Sequence, residues 1–190
     1  MPTTPAPGHH ASEQVAARAE FRWGLFVIAV IGLLLCMMAF TAIHWVMMPS
    51  KRIETINPTT LHLEGEFVER NLGTAVEPDG SVTVRIVGQQ YAFVPQCILV
   101  PDRTPVRFRV TSADVIHGFI IAETNVNVML EPGYISTIQA RFKKPGDHVM
   151  PCHEYCSVGH AGMWARVKVI DRESFFKQAS AQERMSCVQK

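Results

Sequence analysis

"SVTVRIVG", residues 81–88, carries the pattern on which the fold turns. Val82, Val84 and Ile86 alternate with Thr83 and Arg85, a period of two that gives an extended strand one apolar face and one wet face. The pattern returns downstream. In "PVRFRV" Val106, Phe108 and Val110 alternate with Arg107 and Arg109; Ile138, Ala140 and Phe142 alternate with Gln139, Arg141 and Lys143; Val167 and Val169 alternate with Arg166 and Lys168. The triplets "PDG", "EPG" and "KPG" at 78–80, 131–133 and 144–146 fall between strands, where a glycine can take positive φ. Short strands with such punctuation, no amphipathic helix between them and no internal repeat predict an antiparallel sandwich or barrel.

Upstream of the strands the composition changes character. From Trp23 to Met48, "WGLFVIAVIGLLLCMMAFTAIHWVMM" contains no Lys, Arg, Asp or Glu. At ~1.5 Å per residue this run makes a helix about 39 Å long, enough to cross a ~30 Å hydrocarbon core with some tilt. Trp23 and Trp45 stand near its ends, where indoles favour the membrane interface. A cleaved secretory leader has an apolar region of only ~7–15 residues and then a small-residue cleavage motif, which is not evident here. The run therefore reads as an uncleaved anchor in contact with membrane lipid. His44, one turn from its end, reads as a polar side chain reaching the interface rather than an intramembrane ligand. Arg18 and Arg22 on one side balance Lys51 and Arg52 on the other, so charge leaves the sidedness open. The organisation that results is a tail with a helical extension over 1–20, an anchor over 21–48, a polar connector over 49–75, a β-domain over 76–172 and a C-terminal tail with weak helical character over 173–190. His9 and His10, in the first of these, read as solvated.

With 190 residues, 47% of them hydrophobic and 18% charged, the chain has enough apolar material for a real core. A formal net charge of +1 and the lack of a Lys/Arg cluster interleaved with aromatics argue against a nucleic-acid partner. Five cysteines at irregular spacing make a poor disulfide framework. Cys36 and Cys97 read as small apolar fillers, and Cys187 as free or intermolecular.

The other two cysteines lie in "MPCHEYCSVGHAGM", residues 150–163, between two late strands. Cys152, Cys156, His160 and Met163 follow one another at intervals of four, four and three, so one loop can fold around a centre and present all four groups. Thiolate, thioether and imidazole together select copper, whereas zinc has little use for a thioether. A single blue copper wants one cysteine. Two thiolates suit two copper ions sharing both sulfurs, each then needing its own imidazole, and the loop is one short. "SADVIHGFII" supplies it: His117, flanked by Ile116 and Phe119, would alone read as a satisfied core histidine, but beside such a loop it reads as a ligand. Asp114 either orients His117 or belongs to a turn.

"DVIHGF" followed by "CHEYCSVGHAGM" resembles subunit II of the haem-copper oxidases, whose cupredoxin domain, an all-β Greek-key sandwich, holds the dinuclear mixed-valence copper centre CuA. The resemblance covers most of the chain. One anchor helix, "RIETINPTTLHLEG", "TNVNVMLEPGYIST" and "KKPGDH" are similar to the single-helix, B-type branch. It implies that Cys152 and Cys156 bridge both coppers, that His117 and Met163 complete one ion, and that His160 and the backbone carbonyl of Glu154 complete the other. It also implies a single pass through the cell membrane with a cytoplasmic N-terminus, a copper domain that faces the periplasm or its equivalent, electrons delivered by cytochrome c or a similar one-electron donor, and their passage to haem in the catalytic subunit I.

Where many relatives carry tryptophan or phenylalanine for electron uptake, "GQQYAF" offers Gln89, Gln90, Tyr91 and Phe93. Tyr91 and Phe93 are candidates for that role, although their alternation equally suits a sheet core; Trp164, next to Met163, is a third with the same ambiguity. Glu154 stands where larger two-helix relatives use a side chain in holding magnesium, which makes magnesium a further candidate cofactor. His153 is assigned no ligand role. Three alternatives remain open at this stage: a CuA subunit of a nitric oxide reductase, a membrane-anchored copper-delivery chaperone of thioredoxin-like fold, and a structural Cys2His2 zinc site.

Overall fold

A computed structural model describes residues 12–44, 53–179 and 184–187. Two compact units divide the chain near residue 46. The first contains one long helix, α1 (Glu13–His44), none of whose residues is buried. Charged residues are confined to its first part, and the uncharged stretch 23–44 is about 33 Å long at ~1.5 Å per residue, matching a hydrocarbon core. His44 stacks on Phe40 and its Nδ1 lies 3.1 Å from the Phe40 carbonyl, so it finds its partners within the helix. The expectations for His9, His10, Trp45, Lys51 and Arg52 fall outside the described residues.

The second unit is built from strands β1 (Glu54–Thr55), β2 (Gly73–Val76), β3 (Val82–Gln89), β4 (Ala92–Val94), β5 (Cys97–Pro101), β6 (Pro105–Ser112), β7 (His117–Ile120), β8 (Asn127–Leu130), β9 (Tyr134–Arg141), β10 (Gly146–Pro151) and β11 (Trp164–Ile170). One sheet runs β1-β9-β6-β3-β2, with β4 also on β3; a second runs β10-β11-β5; β7 and β8 form a hairpin. The expected alternation holds where it was read on β6, β9 and β11: Val106, Phe108, Val110, Ile138, Ala140, Val167 and Val169 are buried, while Arg107, Gln139, Arg166 and Lys168 are exposed. Gly80 and Gly133 take φ of 80° and 90° in their turns, conformations that a side chain resists. The expectation of an antiparallel sandwich is corrected in one respect: β3 pairs β6 and β5 pairs β11 in parallel. Alternation fixes which face a residue occupies and carries no information on the direction of the neighbouring strand.

The second correction concerns β3, which has no wet face along most of its length: Thr83 and Val87 are buried with Val82, Val84 and Ile86. The stretch read as a polar connector covers it. Leu61 and Phe67 pack with Val87 in a small second core. Beside them Arg109 bonds both Glu54 and Glu66, and Arg85 bonds Glu66 and Glu77. These hydrogen bonds hold the Arg109 guanidinium above its ordinary pKa, so it stays charged on its half-buried face.

At the C-terminus, expected as a tail with weak helical character, the chain forms a short helix and is tied to the domain. Asp171 caps α2 (Arg172–Gln178) by accepting from the Ser174 backbone N–H, and Phe175 enters the core. Further on, Met185 exchanges backbone hydrogen bonds with Thr74 of β2, and the Cys187 N–H donates to the Cys97 carbonyl of β5. Cys97, expected as an apolar filler, and Cys187, expected free or intermolecular, are joined in a disulfide with a Cα–Cα distance of 5.0 Å. The tail thus binds a strand from each sheet, and the bond closes a loop between residues 90 apart in sequence.

Candidate metal centre

β3 and β6 run side by side to one end of the sandwich, where Gly88 faces Ser112 in register. Also at this end β7 begins, at His117, and β10 and β11 are joined by residues 152–163. The register Pro151 opposite Trp164 and the hydrogen bond from the Cys152 N–H to the Met163 carbonyl, 3.0 Å, close that connection into a tight loop. Inside it the Met163 and His160 N–H groups donate to the His160 and Ser157 carbonyls. Ser157 takes φ 102°, unusual for a residue with a side chain, at the point where the loop reverses after Cys156.

The donors converge. Cys152 and Cys156 are free thiols, both buried, with sulfurs 3.9 Å apart. His117 is fully buried and its Nδ1 lies 3.9 Å from Cys152 Sγ; His160 Nδ1 lies 3.7 Å from Cys156 Sγ. The fully buried Met163 puts its Sδ 3.7 Å from Cys156 Sγ, and the Glu154 carbonyl lies 3.2 Å from Cys152 Sγ. Ligating atoms of His117, Cys152 and Cys156 all lie within 4.8 Å of one another. This set fits a soft metal ion. A sulfur separation of 3.9 Å is spanned by two metal–sulfur bonds of about 2.3 Å, so an ion can touch both thiols from either side of the line joining them. Burial, and then the neighbouring Cys152, push the Cys156 thiol above its ordinary pKa, so a cation that binds there displaces a proton.

Asp114 does both things considered for it. Its Oδ1 accepts from His117 Nε2 at 2.8 Å, and its carboxylate also accepts the backbone N–H groups of Val115 and Gln90. Burial raises the carboxyl pKa, but the bonds from Gln90, His117 and Val115 outweigh it and hold the group below its ordinary value. An ionised acceptor at Nε2 keeps the hydrogen on that nitrogen and leaves the Nδ1 lone pair facing the thiols.

Of the aromatic candidates, Phe93 is fully buried against Phe119 in the core, Tyr91 is 37% exposed and Trp164 is 53% exposed. The Trp164 indole N–H donates to the Ala161 carbonyl at 2.8 Å, which fixes its ring on the loop. The Glu154 carboxylate joins no metal-holding cluster among the described residues, which leaves magnesium without support. Sequence reasoning missed two close fits. A Cβ on Gly118 would collide with the His153 ring, and a Cβ on Gly159 would collide with the Tyr91 ring. It also missed Gln90, whose side-chain amide donates to the Cys156 carbonyl at 2.7 Å. The glycines next to His117 and His160 were the available signal.

An all-β sandwich with thiol, imidazole and thioether donors gathered at one end defines a cupredoxin-like copper-binding domain, here on a chain that also carries a long apolar helix. Residues 82–170 match the family described as cytochrome c oxidase subunit II, periplasmic domain, and a cytochrome c oxidase subunit 2 from Thermus thermophilus is 31% identical over 84% of this chain and 96% of that protein. The chain belongs to the cytochrome c oxidase subunit II family. A second Thermus thermophilus subunit 2 is 34% identical over 64% of this chain and 90% of its own length. Among solved structures, a chain of a haem-copper terminal oxidase dimer superposes with a TM-score of 0.58 at 24% identity, covering 80% of this chain and 99% of that one. As a member of that family the chain is a subunit of an oxidoreductase complex, and its helix Glu13–His44 is long and apolar enough to cross a membrane. A thioredoxin-like chaperone is not favoured, because strands follow one another through the domain where that fold alternates helix and strand. Nor is a zinc site, given a buried thioether among the donors.

Proposed function

We propose that this chain takes up single electrons from cytochrome c or a similar donor at a dinuclear CuA centre and passes them to haem in the catalytic subunit, for the reduction of oxygen. The observation that carries the reading is the pair of buried thiols held 3.9 Å apart, unbonded, with two imidazoles and a thioether around them. A copper pair held there would supply a one-electron carrier, and the buried, preset donors would keep the structural change on electron transfer small. Cys152 and Cys156 would hold both ions, with His117 and Met163 serving one and His160 and the Glu154 carbonyl the other. Asp114 orients His117 through Nε2. Burial of both thiols, His117 and Met163 keeps water out and the arrangement rigid. With these donors engaged, a bound pair would have no position left for a gas molecule, which supports a relay role for the chain with the oxygen chemistry in its partner. Trp164, exposed and next to Met163, is the favoured point of electron uptake, with Tyr91 second.

Sulfur also supports a sidedness. The Cys97–Cys187 disulfide belongs to an oxidising compartment, which supports a copper domain outside the cell membrane and a cytoplasmic N-terminus at the start of a single span of the B-type. The relatives named as cytochrome c oxidases favour oxygen over nitric oxide as the final acceptor. Rapid mixing of the assembled complex with reduced cytochrome c tests the reading. Copper absorption on this subunit should bleach before haem is reduced; haem reduction that precedes it would overturn the relay.

A further inference from the structure

Between β3 and β4 the chain turns at Gln90 and Tyr91, directly against the ligand loop. The Gln90 backbone N–H donates to Asp114 Oδ2 at 2.7 Å, and Asp114 Oδ1 accepts from His117 Nε2. The Gln90 side-chain amide, Nε2, donates to the Cys156 carbonyl at 2.7 Å. One residue away, the Tyr91 ring lies so close on Gly159 that no Cβ fits between them. The turn therefore meets both halves of the centre: the imidazole side through Asp114, and the thiol side at Cys156 and Gly159.

We propose that Gln90 is a positioning residue that sets the geometry of the bridging thiol of Cys156. The peptide that joins Cys156 to Ser157 is the part of the loop that Gln90 holds. Ser157 stands at φ 102°, a conformation that a side chain disfavours, so the loop left alone would tend to rotate this peptide into a more relaxed orientation. Rotation would swing the Cys156 carbonyl away from Gln90 and free the Cys156 backbone, from which the sulfur is aimed, to shift. A donor fixed on that carbonyl from outside the loop opposes the rotation. Gln90 itself is exposed at the tip of a turn and adds little to the core, so its side chain is free to serve the loop at small cost to the fold. The two arms are chemically separable, because the bond to Asp114 comes from the backbone and survives substitution of the side chain.

The proposal rests on the copper reading above, and the test distinguishes the two. In the full chain, loaded with copper in detergent, Gln90→Met keeps the length of the side chain and removes the donor. The expected result is two coppers still bound and an unchanged melting curve, but an altered electron paramagnetic resonance splitting and midpoint potential. Release of copper to a copper(I) chelator should be faster by roughly 2- to 10-fold, the factor that one neutral hydrogen bond commands. Wild-type splitting, potential and release rate in Gln90→Met would overturn the proposal, whether or not its melting temperature falls. Should Gln90→Met fail to fold, Gln90→Glu keeps the shape of the side chain, replaces the amide donor with a carboxylate and is read by the same three measurements: altered values support the proposal and wild-type values overturn it. A wild-type chain that binds no copper pair refutes the copper reading itself.

Discussion

Two pairs of cysteines sit in the same domain and are kept in opposite states. Cys152 and Cys156 lie four residues apart in one buried loop, with their sulfurs 3.9 Å from each other and each beside an imidazole. Cys97 and Cys187 are 90 residues apart, joined where the C-terminal tail meets β5, and bonded to each other. Nearness in sequence is thus no guide to which thiols pair. What separates the two cases is how the backbone presents the sulfurs. The loop closed between Cys152 and Met163, reversing at Ser157, aims two thiols at a common centre with other donors in reach. The tail brings Cys187 alongside Cys97 through a backbone hydrogen bond, with a Cα–Cα distance of 5.0 Å that suits a direct bond. One pair is arranged to hold metal, the other to hold the fold.

Substitution breaks that contrast most sharply at Cys156. Cys156→Ser should abolish the dinuclear copper spectrum altogether while circular dichroism shows an intact β-domain; a native spectrum would remove the ligand assignment. Cys97→Ser should do the reverse. Its loss opens a loop of 90 residues, for which chain entropy alone gives about 4–5 kcal/mol of stabilisation, and measured losses of native disulfides run to about 2–5 kcal/mol. Thermal melting should therefore drop markedly, with the optical spectrum of the copper-loaded protein unchanged. Met163→Leu comes next in size. It keeps the volume of a buried side chain but removes the sulfur, so redox titration should show a shifted potential on an intact fold. The smallest effect is expected from Asp171→Ala, which uncaps α2 on the way to Cys187. Hydrogen bonds from the Ser174 backbone N–H and side chain hold the Asp171 carboxyl below its ordinary value of 3.8, so its contribution is present above that pH and fades as pH falls through the lowered value. The melting curves of variant and parent should differ slightly at neutral pH and converge in acid.

How far each sulfur pair was legible beforehand follows from the same contrast. The metal loop announces itself because its donors are local, chemically distinctive and regularly spaced over residues 152–163. His117 needed the loop as context, since an isolated histidine on an apolar strand has no chemistry of its own. The alternation that fixed β6, β9 and β11 was equally local. The disulfide was invisible because it depends on where a tail of little pattern ends up, and that depends on Phe175 entering the core and Met185 finding the edge of β2. The connector was misread for a related reason. Leu61 and Phe67 are scattered among polar residues, and only the tertiary structure shows them meeting Val87 on the outer face of the sheet. Gln90 carried no signal either, being a polar residue in a turn whose partner is a carbonyl 66 positions away.

The most direct measurement is the electron paramagnetic resonance spectrum of the copper-loaded full chain, taken together with its metal content. Two coppers per chain and a hyperfine pattern from one unpaired electron shared equally by two copper nuclei is the result the account requires. One copper per chain with a single-nucleus pattern, or Cys152 and Cys156 found bonded to each other in the assembled subunit, would contradict it.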